Sequence, residues 1–195
     1  HVFYLFDWNG VQKTGWRTVN GKRVYFDPET GAMQTGWISV YDSRYHADAN
    51  GKQTGEIQVN GTRYLLDNET GKQHTGFCAF SDGTISYYAE DGTIQNGWID
   101  SWYGRSFSKN GILQTGWQTI DGKKFYFTEK GFAQTGWKQL DNNRYFFKSN
   151  GEMQTGWLCL DKTYYYFTKD GKNVSGWFAL SCNGSCTHAI NEFLK

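Results

Sequence analysis

Residues 115–134 read TGWQTIDGKKFYFTEKGFAQ. After Gly116-Trp117 come three residues, then Asp121-Gly122, then the aromatic run Phe125-Tyr126-Phe127, then a loop that closes on Gly131. Asp-Gly between two apolar-rich runs is the strongest short hairpin signal, because a type I′ turn needs positive φ at both central residues. The stretch therefore reads as a β-hairpin followed by a second turn, in which Gly131 supplies a left-handed residue where the chain passes to its next unit. Asn20-Gly21, Asn60-Gly61 and Asp82-Gly83 occupy the same place as Asp121-Gly122. Alternation along the second strand puts Phe125 and Phe127 on one face and Tyr126 on the other.

This unit recurs. Gly15, Gly36, Gly55, Gly76, Gly97, Gly116, Gly136, Gly156 and Gly176 follow one another at intervals of 19 to 21 residues. The next residue is Trp at 16, 37, 98, 117, 137, 157 and 177, Glu at 56 and Phe at 77. A fixed period near 20 residues marks a stacked repeat, each unit burying its apolar face against its neighbours. The length differences fall in turns and linkers, where insertions leave strand register intact. A lone hairpin is marginal in water, so stacking must bury the aromatic surface. Phe125 and Phe127, Tyr145 and Phe147, and Tyr165 and Phe167 are assigned to the core. Tyr126, Phe146 and Tyr166 point the opposite way. The expected fold is an all-β solenoid of about nine stacked β-hairpins over residues 1–180, with 181–195 a C-terminal cap or the start of a following segment. His1–Thr14 reads as the second half of a unit, so the chain is expected to begin mid-repeat, inside a longer protein.

Composition narrows the function. Aromatic residues make up 18 % of the chain, Gly numbers 24 and Pro 1, which is not the aromatic-poor composition of disorder. The formal net charge is +1, without the clustered basic surplus of a nucleic-acid binder. No run approaches 18 uninterrupted apolar residues, so no membrane span is expected. Cys78 and Cys159 lie about four repeats apart, too far for the short Cα separation of a disulfide. Cys182 and Cys186 either close a small loop in an oxidising compartment or stay free thiols. The histidines occupy unrelated positions, and no nucleophile–base pair or metal-ligand spacing emerges. The Asp and Asn residues recur in turns, where backbone geometry explains them. The expectation is a chain that is not an enzyme and needs neither metal nor cofactor.

TGW, a short strand, Asp/Asn-Gly, a run such as KFYF or YYYF, then G-x-x-Q-TGW resembles the cell-wall-binding and glucan-binding repeats of Gram-positive surface proteins. Similar units occur in choline-binding modules, in glucan-binding domains of glucosyltransferases and in the receptor-binding ends of large clostridial toxins. The resemblance covers roughly residues 1–180 and is most specific from Gly97 to Trp177. It implies ligands held in grooves between successive hairpins and a secreted or cell-surface, extracellular bacterial location.

Two ligand classes compete. In the choline-binding relatives a quaternary ammonium sits in a cage built from the Trp after Gly, an aromatic seven residues on, and the Trp of the next repeat. Here the second wall is mostly a cation: Arg23, Arg44, Arg63, Lys124 and Arg144. The altered hairpin 97–109 leaves Arg105 without a firm place in this row. A cation at the wall repels choline and is itself able to fill the aromatic site; the repulsion roughly cancels or exceeds a cation–π gain of about 0.5–2 kcal/mol. Tyr164 keeps an aromatic, so Trp157, Tyr164 and Trp177 form the complete candidate choline cage.

Carbohydrate is the other class. The apolar face of a pyranose lies on an aromatic plane while its hydroxyls need donors and acceptors. Trp98, Trp117, Trp137, Trp157, Trp177, Tyr126, Phe146 and Tyr166 offer platforms. Gln114, Gln134 and Gln154 offer amides, and Lys124 and Arg144 donors. Weak sites of this kind gain by avidity on a polymer. The sequence thus points to non-catalytic polysaccharide binding, an α-glucan first. A module for cell-wall attachment through choline-bearing teichoic acid is the alternative, and a structural spacer the third reading. Trp102 and Tyr103, standing where Asp-Gly is expected in a turn, read either as a ligand contact or as a packing plug that bends the stack, the plug being favoured.

Overall fold

The computed structural model describes residues 1–175. These form 21 strands and no helix, in nine sheets of two or three strands. The all-β class of successive hairpins is therefore observed. The repeat opening at Gly176 lies outside the described residues, as do Trp177, Cys182, Cys186 and the segment 181–195.

Turn chemistry sets each hairpin. Asn20 and Gly21, Asn60 and Gly61, and Asp121 and Gly122 all carry positive φ, between 50° and 80°, as a two-residue type I′ connection requires. Asp82-Gly83 departs from this expectation. Gly83 has positive φ but Asp82 does not. The extra residue here widens the turn into a loop closed by Phe80 N–H donating to the Thr84 carbonyl at 2.8 Å. The Asp82 carboxylate then accepts from the Thr84 N–H and hydroxyl instead.

Register sorts the side chains. In the hairpin of Gly136–Leu140 and Asn143–Phe147, Trp137 stands opposite Phe146, Gln139 opposite Arg144, and Gly136 opposite Phe147. One face thus carries Trp137, Gln139, Arg144 and Phe146, and the other Lys138, Tyr145 and Phe147. The hairpin of Gly156–Leu160 and Thr163–Phe167 repeats the arrangement.

The chain divides into two compact units, residues 1–120 with 126–133, and residues 121–125 with 134 onward. Each stacks its hairpins by the same rule. In the first, the Trp16 ring lies 5.4 Å from Tyr45, and Trp37 lies 4.8 Å from Tyr64. Trp98 lies 6.1 Å from Phe127. In the second, Trp137 lies 4.9 Å from Tyr165 and 5.6 Å from Phe167. The Trp face of one hairpin therefore rests on the Tyr/Phe face of the next. This corrects the picture of one core face and one outward face, because a layer inside a stack has neighbours on both sides. Phe127, Phe147 and Phe167 are fully buried. Tyr126, Phe146 and Tyr166 are half-buried and meet the Trp of their own hairpin at 5.0–5.4 Å. Aromatic pairs of this geometry contribute about 0.5–1.5 kcal/mol each beyond the area they bury.

The linkers tie alternate hairpins together. After each hairpin the chain returns to the second strand of the preceding one. Gln73 N–H donates to the Arg44 carbonyl, Ala133 to Arg105, Met153 to Lys124 and Asn173 to Arg144, at 2.7–2.8 Å. An approach of backbone to backbone explains one glycine. Gly51 has φ of 103°, and a Cβ there would stand 2.7 Å from the Arg23 carbonyl oxygen.

Candidate functional site

The residue seven positions after each Gly-Trp decides what each hairpin offers. It sits diagonally across the strands from the Trp, on the same face. In three hairpins its guanidinium covers that ring. The Cζ of Arg44 lies 4.3 Å from the centroid of Trp37. Arg105 lies 4.0 Å from Trp98, and Arg144 lies 4.0 Å from Trp137. Arg105, which the sequence leaves unplaced, stands opposite Asp100 and pairs with its carboxylate at 3.4 Å. It occupies the same position as Arg144. Cation–π contacts are worth about 0.5–1 kcal/mol at exposed sites, and here the cation is the protein's own.

The repeat with Glu56 keeps the diagonal and changes its chemistry. Arg63 pairs with the Glu56 carboxylate at 3.4 Å, and its Nη2 donates to the Asn110 carbonyl at 2.8 Å. An ion pair replaces the ring stack, so the Arg in this row seeks its partner on the first strand whether that partner is an indole or a carboxylate.

Hairpin 156–167 departs from this rule. Tyr164 stands opposite Cys159, on the position from which Arg144 reaches Trp137 in the preceding hairpin. Trp157 is 39 % exposed and Tyr164 55 %. Tyr166 flanks Trp157 at 5.0 Å, edge to face. Three aromatic residues, Trp157, Tyr164 and Tyr166, thus share one accessible face. Trp177, the remaining wall read from the sequence, lies outside the described residues. Trp117, at 42 % exposure, is flanked by Tyr126, and Trp98 by Phe107 at 5.1 Å.

The glutamines face the chain. Gln154 is buried, and its Nε2 donates to the carbonyls of Thr155 and Trp157 at 2.7 and 3.0 Å. Gln134 donates to the Thr135 carbonyl and Gln114 to that of Ile112. These amides brace the entry into the next TGW. Lys124 pairs with Asp170 at 3.8 Å. The expected amide rim around the platforms is therefore engaged within the protein.

The sequence misses a second feature. A groove of about 590 Å³ in the first unit is lined by Phe77, Tyr87, Trp102, Tyr103, Lys130 and Phe132, with Ala79, Ile85 and Ser101. Trp102 is fully exposed, which corrects its reading as a plug: a ring standing in solvent fills no gap in the stack. The signal available in the sequence was Phe132, at a linker position held by Ala32, Lys72, Thr93 and Glu152 in other repeats.

Charges elsewhere serve structure. The Thr70 hydroxyl and N–H hold the Asp67 carboxyl below its ordinary range, and Asp27 is held low in the same way by Thr30. Glu152 is lowered by Lys123 and Lys148, with ion pairs of 3.1 Å to each. Burial raises the Cys78 thiol. Cys78 and Cys159 are free. No cluster of three or more metal-ligating side chains and no helix long and apolar enough to cross a membrane occurs among the described residues.

Known proteins place this geometry. The choline-binding repeat matches residues 13–53 and 134–178, and the cell wall binding repeat matches residues 115–131. The structure of CbpJ from Streptococcus pneumoniae TIGR4 is similar, with 26 % identity and a TM-score of 0.72, over 88 % of this chain and 69 % of that one. Choline binding protein F from Streptococcus pneumoniae superposes with a TM-score of 0.67 at 24 % identity, again over 88 % and 69 %. It was also crystallised with a tetrasaccharide-pentapeptide peptidoglycan analogue. No curated protein sequence matches the chain significantly. With matched repeats near both ends and in the middle, and with hairpins stacked as in CbpJ, the chain belongs to the choline-binding, cell-wall-binding repeat family.

Proposed function

We propose that the chain is a non-catalytic attachment module that holds a protein at the bacterial cell surface by binding choline-bearing cell-wall polymer, with hairpin 156–167 as its principal choline-binding unit. The observation that carries this reading is Tyr164. At that position Arg44, Arg105 and Arg144 lay a guanidinium on the neighbouring indole. Tyr164 instead adds a ring beside Trp157. A quaternary ammonium is attracted to the faces of aromatic rings and needs no hydrogen bond. A wall that carries a phenol ring at this position adds an aromatic face for it, whereas Arg44, Arg105 and Arg144 bring a like charge there. Trp177 is the expected closing wall.

The α-glucan reading falls to second place because the amides expected at its polar rim use donors on the chain itself. The glutamine amides that were to meet sugar hydroxyls donate to backbone carbonyls. The test is a choline titration followed by Trp fluorescence, with soluble starch and dextran in parallel. A saturable response to choline that Tyr164→Ala weakens by about tenfold, the equivalent of about 1.4 kcal/mol, is the expected result. A response to dextran or starch with none to choline overturns the proposal, and silence with all three leaves the module a spacer.

A further inference from the structure

We propose that the groove around Phe77, Tyr87, Tyr103 and Phe132 is a second binding site, separate from the choline-binding hairpin, and that it takes a pyranose unit of a neutral polysaccharide. The first argument is convergence. The repeat is broken in three separate ways: Phe77 replaces Trp, Trp102-Tyr103 replaces Asp-Gly in a turn, and Phe132 puts an aromatic ring at a linker position that holds none in the other repeats. All three departures line one groove. Phe77 meets Tyr87 at 4.7 Å, Phe132 at 5.4 Å and Tyr103 at 6.1 Å.

Folding alone does not explain these residues. Asp-Gly closes such a turn more readily than Trp-Tyr, and Trp102 is fully exposed. The hairpin beneath has lost its core aromatics. Ser106 and Ser108 stand where hairpin 136–147 carries Tyr145 and Phe147, and their buried hydroxyls have no partner. Aromatic surface has left the core of hairpin 97–109 and gathered at its rim.

The lining selects the ligand. It holds the ammonium of Lys130 and no carboxylate, so a quaternary ammonium meets a like charge with no counter-charge. Aromatic planes suit the C–H face of a pyranose. The phenols of Tyr87 and Tyr103 both donate and accept, and Lys130 donates, which suits a hydroxyl rim. The volume lies within the range of about 300–1,000 Å³ of small-molecule sites. Because Trp102 stands open to solvent on one side, a polymer can run through.

The experiment is calorimetric titration of the protein with isomaltotetraose and with chitotetraose, beside Trp102→Ala and Phe132→Ala, with choline as a parallel ligand. Saturable binding of either oligosaccharide, weakened at least about tenfold by Trp102→Ala while the choline response and the circular dichroism spectrum stay unchanged, is expected. Trp102 touches no core residue, so this variant folds even where Phe132→Ala does not. Binding of neither oligosaccharide, or binding indifferent to Trp102→Ala, overturns the proposal. Failure of choline binding alone bears on hairpin 156–167 and leaves this groove standing.

Discussion

The guanidinium carbon of Arg144 lies 4.0 Å from the centroid of the Trp137 ring, on the face where Tyr164 stands beside Trp157 one hairpin later. The two hairpins share the same register and turn length. At this position one repeat lays a guanidinium over its indole and the next sets a phenol ring on the same face.

Replacing Arg144 with Tyr should convert the first state into the second. The variant removes a like charge and adds a ring, and each cation–π contact is worth about 0.5–2 kcal/mol. Choline titration of Arg144→Tyr should show one more bound choline per chain than the wild type. Arg144→Ala uncovers the indole without building a wall, so its gain in affinity should be smaller. An unchanged stoichiometry in Arg144→Tyr would mean that the stacked guanidinium is not what closes the site.

The two faces of a hairpin differ in what they hold. Phe147 is fully buried and stands opposite Gly136 in the register. Phe146, beside it, is half-buried and edges Trp137. Phe147→Ala should cost about 3–5 kcal/mol, the usual range for truncating a buried aromatic. Phe146→Ala should cost clearly less. Urea denaturation measures both, and equal midpoints would show that the layers are not packed as described.

Much of this was readable from local chemistry. A two-residue turn needs two residues of positive φ, and Asp121-Gly122 announces that without knowledge of the rest of the chain. The 20-residue period likewise fixes the number of hairpins. What escaped depended on contacts between repeats. Tyr126, Phe146 and Tyr166 looked outward because alternation within one strand says nothing of a second layer above it. Gln154 looked like a ligand group because its partners, the Thr155 and Trp157 carbonyls, become acceptors only once the linker has turned. Phe77, Trp102 and Phe132 lie in three different repeats, and no periodicity joins them.

Gly51 and Gly136 separate strain from crowding. Both hold positive φ, 103° and 68°. A Cβ at Gly136 meets nothing within 4 Å, whereas one at Gly51 strikes the Arg23 carbonyl oxygen at 2.7 Å. Gly136→Ala should cost only the left-handed conformation, about 1 kcal/mol. Gly51→Ala adds a collision with backbone that cannot swing aside, and should cost at least about 1 kcal/mol more. Thermal melts of the two variants compare them directly; a Gly136→Ala melt as low as that of Gly51→Ala would show that the linker does not lie against Arg23.

Acid should weaken the turns before the aromatic layers. The carboxyls of Asp27, Asp67, Asp82 and Asp91 are each held below the ordinary range by the hydroxyl and N–H of a nearby Thr. A carboxyl whose pKa is lower folded than unfolded stabilises the fold above the unfolded value, near pH 3.9. That stabilisation is lost as pH falls through the folded value. At Asp67 the Thr70 hydroxyl and N–H donate at 2.7 Å each, and protonation replaces acceptance at one carboxylate oxygen with a donor facing donors. The melting temperature should hold from neutral pH down to about pH 4 and then fall. Asp67→Ala should begin lower at neutral pH and fall less steeply, because it has one fewer such proton to bind. Parallel melting curves for variant and wild type across this range would remove the loop carboxylates as the origin of the acid response.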